Sequence, residues 1–156
     1  MIKLTGSISL PTEASTEALA ATIAPLLRAG DTLLLEGEIG AGKTAFARAL
    51  IRARLGRFED VPSPTFTLVQ TYDAGDCEIW HADLYRLTSA DEALELGLDA
   101  AFVDAICLIE WPDRLGPSLP QGALRLQFEA GGTGHSVEVT GPETWLARLR
   151  AAEVEA

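Results

Sequence analysis

The sequence predicts a three-layer α/β fold with a mostly parallel sheet and an antiparallel hairpin near its C-terminal end. Three observations carry this expectation. Continuous apolar runs such as TLLLEG (32–37) and AICLIE (105–110) read as strands buried on both faces. Segments of helical period lie between such runs. Two segments of strict alternation, ALRLQFEA and HSVEVTG, flank a glycine-rich turn as a hairpin does. Buried strands alternating with helices need a sheet covered on both sides.

In chain order, TGSISLP alternates before Pro11 and predicts a short edge strand. TEASTEALAATIAPLLRAG predicts a helix with Leu19, Ile23, Leu26 and Leu27 on one face. Thr12 or Ser15 caps it, Gly30 ends it, and Pro25 should kink it or leave a carbonyl unpaired. TLLLEG follows as a buried strand. A helix is expected over 43–55, with Phe46, Ala49, Leu50 and Ala53 apolar and Arg48 and Arg52 on the other side. VPSPTF is a loop held extended by two prolines. TLVQTYD and CEIWHAD are strands joined by a turn through Ala74 and Gly75. SADEALELGL is a short helix capped by Ser89, and AICLIE is another buried strand. WPDRLGPSLPQG reads as a proline-rich loop, and PETWLARLRAAEVEA as a closing helix. There are no repeats, linkers or low-complexity tails, so residues 1–156 read as one domain.

Hydrophobic residues make up 47% of the chain and charged residues 22%, the balance of a soluble globular protein. The net charge of −11 sets an acidic surface against phosphate backbones, which argues against unaided nucleic-acid binding. Cys77 and Cys107 form no C-x-x-C pair and read as buried free thiols, which suits a reducing compartment. His81 and His135 are the only histidines and make no zinc spacing. Any metal is therefore expected to be hard, oxygen-bound and carried by a nucleotide. No apolar run is long enough to span a membrane and no signal peptide opens the chain, so a cytoplasmic location is expected.

Residues 37–44, GEIGAGKT, match G-x-x-x-x-G-K-[ST]. The glycines let successive backbone N–H groups turn inward around phosphates. The helix beginning at Lys43 adds its positive dipole end. Lys43 reaches the β- and γ-phosphates, and the Thr44 hydroxyl serves Mg²⁺. The four fixed letters arise by chance in roughly 1 in 200 chains of this length. Here an apolar strand leads in and an amphipathic helix leads out, as the motif requires, so a P-loop NTPase fold is expected.

Such a site needs a carboxylate at the end of a neighbouring strand to hold the metal shell. Glu110 ends AICLIE and Asp83 ends CEIWHAD. An acid in that place can also be a plain turn residue. Strand C-termini face the ligand crevice in open α/β sheets, so one acid would serve the metal and the other would position or deprotonate water. Guanine specificity has no N-K-x-D segment to rest on, and the D-x-x-G of Asp113 to Gly116 falls in the proline-rich loop. Arg48, Arg52, Arg54 and Arg57 read as a solvated helix face rather than a kinase lid, leaving Arg86 and Arg114 as the arginines near strand ends.

Five blocks, GEIGAGKT, SPTFTLVQTY, HADLYRL, ELGL and ICLIEWP, resemble in order and spacing the TsaE (YjeE) ATPases of bacterial tRNA threonylcarbamoyladenosine synthesis. They cover about residues 33–112. The resemblance implies ATP bound by Gly40, Ala41, Gly42, Lys43, Thr44 and Ala45, with Trp111 beside the nucleotide. It implies Mg²⁺ held by Thr44 and Glu110. Asp83 should act near the attacking water, with Lys43 on the phosphates and Thr65 sensing the γ-phosphate. The implied partners are the TsaB and TsaD proteins. TsaD carries out the transfer to adenosine 37 of ANN-decoding tRNAs, and tRNA is met only through the complex. Two positions depart from the family pattern. Ala45 stands where a second Thr is common, which removes a hydroxyl toward the α-phosphate. The hairpin turn AGGTGH lacks an Arg often found there, leaving His135 as its basic group. The residues alone also admit a stand-alone small-metabolite kinase or a nucleotide-gated binding module, and intact Asp83 and Glu110 argue against the latter.

Overall fold

A computed structural model describes residues 2–3, 7–56, 61, 68–131, 134–152 and 154. The strands are β1 (Ile2–Lys3), β2 (Ile8–Leu10), β3 (Thr32–Glu36), β4 (Val69–Asp73), β5 (Glu78–Asp83), β6 (Ile106–Glu110), β7 (Leu124–Gly131) and β8 (Gly134–Gly141). The helices are α1 (Glu13–Ile23), α2 (Lys43–Leu55), α3 (Ala90–Glu95), α4 (Leu98–Asp104) and α5 (Glu143–Ala151). Among the described residues, one sheet runs β1-β8-β7-β3-β6-β5-β4, with β2 also paired to β8. Its centre is parallel, through β7–β3, β3–β6 and β6–β5. Its flanks are antiparallel, through β4–β5 on one side and β7–β8, β8–β1 and β8–β2 on the other. The expected architecture holds, and the antiparallel part extends to both edges.

Side-chain alternation divides the core between the two sheet faces. Leu33 and Leu35 of β3, Ile79 of β5, and Ile106 and Leu108 of β6 pack with Phe46, Leu50 and Ile51 of α2 and with α1 and α5. Leu34, Ala82, Cys107 and Ile109 face the other way, toward α3, α4 and the 3₁₀ segment Pro112–Ser118. Every residue of β6 is buried, which is why that strand reads as an unbroken apolar run closed by one acid.

Four local readings change. The first helix stops at Ile23, not Gly30. Pro25 has no N–H to continue the ladder, and Ala24–Leu26 tighten into a 3₁₀ turn. Leu27 stays buried although it lies beyond the helix. Its start is a full capping box in which Thr12 and Ser15 bond reciprocally, so both proposed caps take part. Beyond Gly97, which takes a left-handed φ of 88°, a further helix, α4, was not foreseen. The proline-rich loop is largely 3₁₀ from Pro112 to Ser118. Cys107 is buried as expected, whereas Cys77 is half-buried. The loop 61–66 lies outside the described residues except for Val61, which is buried.

Candidate functional site

The turn that opens the site is shaped by glycines at two positions whose left-handed φ strains any other residue. Gly37 has φ 136°, and a Cβ there would stand 2.5 Å from the Phe128 carbonyl oxygen of β7. Gly42 has φ 107° and is the residue before α2. The loop between them delivers Lys43 and Thr44 into the first turn of α2, where free backbone N–H groups and the helix dipole favour anions.

Sheet order brings the acids to this turn. β6 is inserted between β3 and β5, with Glu110 in register with Leu35 on one side and Asp83 on the other. Glu110 therefore sits between the end of β3 and Asp83. Thr44 donates its hydroxyl to Glu110 Oε1 across 2.8 Å. The other carboxylate oxygen, Oε2, lies 2.7 Å from His81 Nε2. A cavity of about 560 Å³ opens at these strand ends, lined by residues of the loop, β5, β6 and β8. That volume lies within the usual range for small-ligand sites.

Lys43 is 4% exposed. Its ammonium donates to the Gly37 carbonyl oxygen at 2.5 Å and lies 3.6 Å from the centroid of Trp111. Burial pushes its pKa below the ordinary lysine value, and Glu110 and Asp83 work against that shift. Asp83 is half-buried and lines the cavity. Burial pushes its carboxyl pKa above the usual value, while the Tyr85 N–H, which donates to Oδ1 at 3.1 Å, pulls the other way. A carboxylate held so is primed to accept a proton.

Trp111 adopts a left-handed φ of 59°, the conformation that turns the chain from β6 into the 3₁₀ segment. Its indole packs on Tyr85 with centroids 4.9 Å apart, and the Arg114 guanidinium lies 5.8 Å from the Tyr85 ring centroid. Across the cavity, His135 at the start of β8 donates from Nε2 to the Gly40 carbonyl oxygen at 3.1 Å. It thus holds the place beside the loop where the hairpin's basic group was expected.

The structure brings Gly40, Gly42, Lys43, Thr44, Ala45, Asp83, Glu110 and Trp111 around one cavity. Ala41 is buried and does not line the cavity. Thr65 lies outside the described residues. Three participants carried no role in the sequence reading: His81 against Glu110, Tyr85 against Trp111, and Arg86 on the cavity wall. The sequence does carry a signal for His81. In Ile79-x-His81-x-Asp83 it occupies a core-facing position of a buried strand, where a polar side chain requires a partner.

The donor set fits a hard cation brought with phosphates. The Thr44 hydroxyl and a Glu110 carboxylate oxygen are 2.8 Å apart, two hard oxygen donors close enough to meet one cation. Among the described residues, no cluster of three His, Cys, Asp or Glu side chains could hold a metal alone. No helix among them is long and apolar enough to cross a membrane.

A family model described as threonylcarbamoyl adenosine biosynthesis protein TsaE matches residues 10–137. The tRNA threonylcarbamoyladenosine biosynthesis protein TsaE of Rickettsia conorii is 40% identical over 122 residues, covering 78% of this chain and 70% of that protein. The protein of the same name from Bacillus subtilis is 39% identical over 118 residues, covering 75% and 73%. The crystal structure of Bacillus subtilis YdiB superposes with a TM-score of 0.77 at 28% identity, covering 97% of this chain and 95% of that one.

Proposed function

The chain belongs to the TsaE family of threonylcarbamoyladenosine biosynthesis proteins, and from this we propose that it is a Mg²⁺-dependent ATPase subunit serving a TsaB–TsaD pair. The pair would make N6-threonylcarbamoyladenosine at position 37 of ANN-decoding tRNAs. The observation that carries the ATPase reading is the convergence of Lys43, Thr44, Asp83, Glu110 and Trp111 on one cavity from the loop after β3 and the ends of β5 and β6.

In this reading the loop N–H groups and Lys43 grip the triphosphate, and Trp111 stands beside the nucleotide. Lys43 leaves the Gly37 carbonyl and the indole face to meet the β- and γ-oxygens. Thr44 and Glu110 would hold Mg²⁺, which would supply charge neutralisation at the phosphates. Asp83 orients a water in line with the γ-phosphorus and takes its proton, giving ADP and inorganic phosphate. Thr65 senses the γ-phosphate from the segment 63–67. The sequence carries no run of basic residues and has a net charge of −11, so in this reading tRNA is met through the partners in the cytoplasm.

Nucleotide release and partner binding test this reading together. The chain alone should hydrolyse ATP slowly, and a purified TsaB–TsaD pair should accelerate it. ATP should strengthen docking on the pair, and by linkage the pair should tighten ATP binding by the same factor. Fast phosphorylation of a metabolite pool by the chain alone would instead make it a stand-alone kinase.

A further inference from the structure

His81 is 0% exposed and Glu110 is 2% exposed, so their contact is dry on both sides. An ionised carboxylate so placed needs its oxygens satisfied. Oε1 takes the Thr44 hydroxyl, and Oε2 is met by His81 Nε2. A carboxylate only accepts, so the ring hydrogen sits on Nε2. His81 Nδ1 is buried and has no hydrogen-bond partner among the described residues. Among the described residues the carboxylate is therefore the imidazole's one hydrogen-bond partner.

The sheet explains why this pair has no slack. Ile79, His81 and Asp83 lie on one face of β5, and Ile106, Leu108 and Glu110 lie on the same face of β6. In register, His81 stands opposite Leu108 and Asp83 opposite Glu110. The imidazole thus reaches diagonally along the sheet to the last residue of β6. Diagonal neighbours lie within reach of long side chains.

We propose that His81 is a positioning residue: it clamps the second oxygen of Glu110, so that the first is presented with Thr44 as a fixed pair of oxygen donors for the nucleotide's divalent cation. This rests on the nucleotide reading above and assigns His81 a role within it. Without the clamp the carboxyl group can rotate about its terminal bond, and the donor pair loses its fixed spacing. Partners that orient a metal-binding side chain typically change metal affinity about 10- to 100-fold when removed.

The test measures binding rather than turnover. Affinity for the non-hydrolysable analogue adenosine 5′-(β,γ-imido)triphosphate is determined by calorimetry in Mg²⁺ and in excess chelator, and their ratio is the gain from the metal. His81→Leu keeps apolar volume and removes the donor. His81→Asn keeps an amide too short to reach Glu110, and His81→Gln places an amide nitrogen near the position of Nε2. The expected result is a gain reduced about tenfold or more in Leu and Asn, nearly normal in Gln, with chelator-state affinity little changed in all three. If Leu fails to fold, the Asn and Gln pair decides. A wild-type gain retained in Asn overturns the proposal. So does a loss in Gln equal to that in Asn, which would make His81 a packing residue. A wild-type protein with no gain from Mg²⁺ removes the nucleotide reading itself, an outcome distinct from the failure of His81.

Discussion

Thr44 and Glu110 are 66 positions apart in the chain, yet the hydroxyl of one donates to the carboxylate of the other across 2.8 Å. That bond ties the first turn of α2 to the end of β6. Glu110→Ala leaves Thr44 and the buried His81 without their acceptor, so the melting temperature should fall, in line with about 1–3 kcal/mol for unsatisfied buried donors. Nucleotide affinity should fall in Mg²⁺ and hold in chelator. Equal loss in both conditions would mean that Glu110 shapes the loop rather than the metal shell.

Lys43→Ala removes a charge-assisted contact worth about 1.5–3 kcal/mol, or roughly 10- to 100-fold in ATP affinity. Burial already lowers the Lys43 pKa, so the phosphate-binding charge is lost at a lower pH than for an exposed lysine. Affinity should decline at a lower pH than an ordinary lysine would give, and Lys43→Ala should flatten that limb. Titration of both proteins against pH checks this.

Asp83→Asn should retain nucleotide binding and lose hydrolysis by about 10²–10⁴-fold, the usual contribution of a positioned base. The sign of its pKa shift adds a second readout. A carboxyl raised by burial is more easily protonated folded than unfolded, so its ionised form works against the fold above the unfolded pKa and that burden is relieved as pH falls. Asp83→Asn should therefore be at least as stable as wild type near neutral pH. Wild-type turnover in this variant would remove Asp83 from the chemistry.

Trp111 should report the nucleotide, because its indole now faces the Lys43 ammonium at 3.6 Å. Binding draws Lys43 toward the phosphates and changes the emission. Trp111→Phe should abolish most of the change, since Trp145 is 3% exposed beneath Arg148 and Trp80 packs beside Gly97. A full signal in Trp111→Phe would place the nucleotide elsewhere.

The loop helix was legible end to end. The motif marks its start at Lys43, and Gly56, with φ 71°, stops it after Leu55. The acids were legible too, because an apolar strand closing on a carboxylate is a local pattern. Features that depend on two signals competing at one place were less so. Pro25 ended α1 at Ile23 while Gly30 looked like the stop, and Gly97 followed α3 while also opening α4. Pro112 suits the first turn of a 3₁₀ segment as well as it suits a loop. The His81–Glu110 contact spans 29 positions and follows from β5 lying beside β6, which no local pattern states.

The central claim is that this nucleotide site serves tRNA modification. Its most direct test is nucleoside mass spectrometry of tRNA from cells depleted of the chain, then supplied with wild type or Lys43→Ala. The account predicts that N6-threonylcarbamoyladenosine falls on depletion, returns with wild type, and stays low with Lys43→Ala. Unchanged levels on depletion, or full recovery with Lys43→Ala, would contradict it.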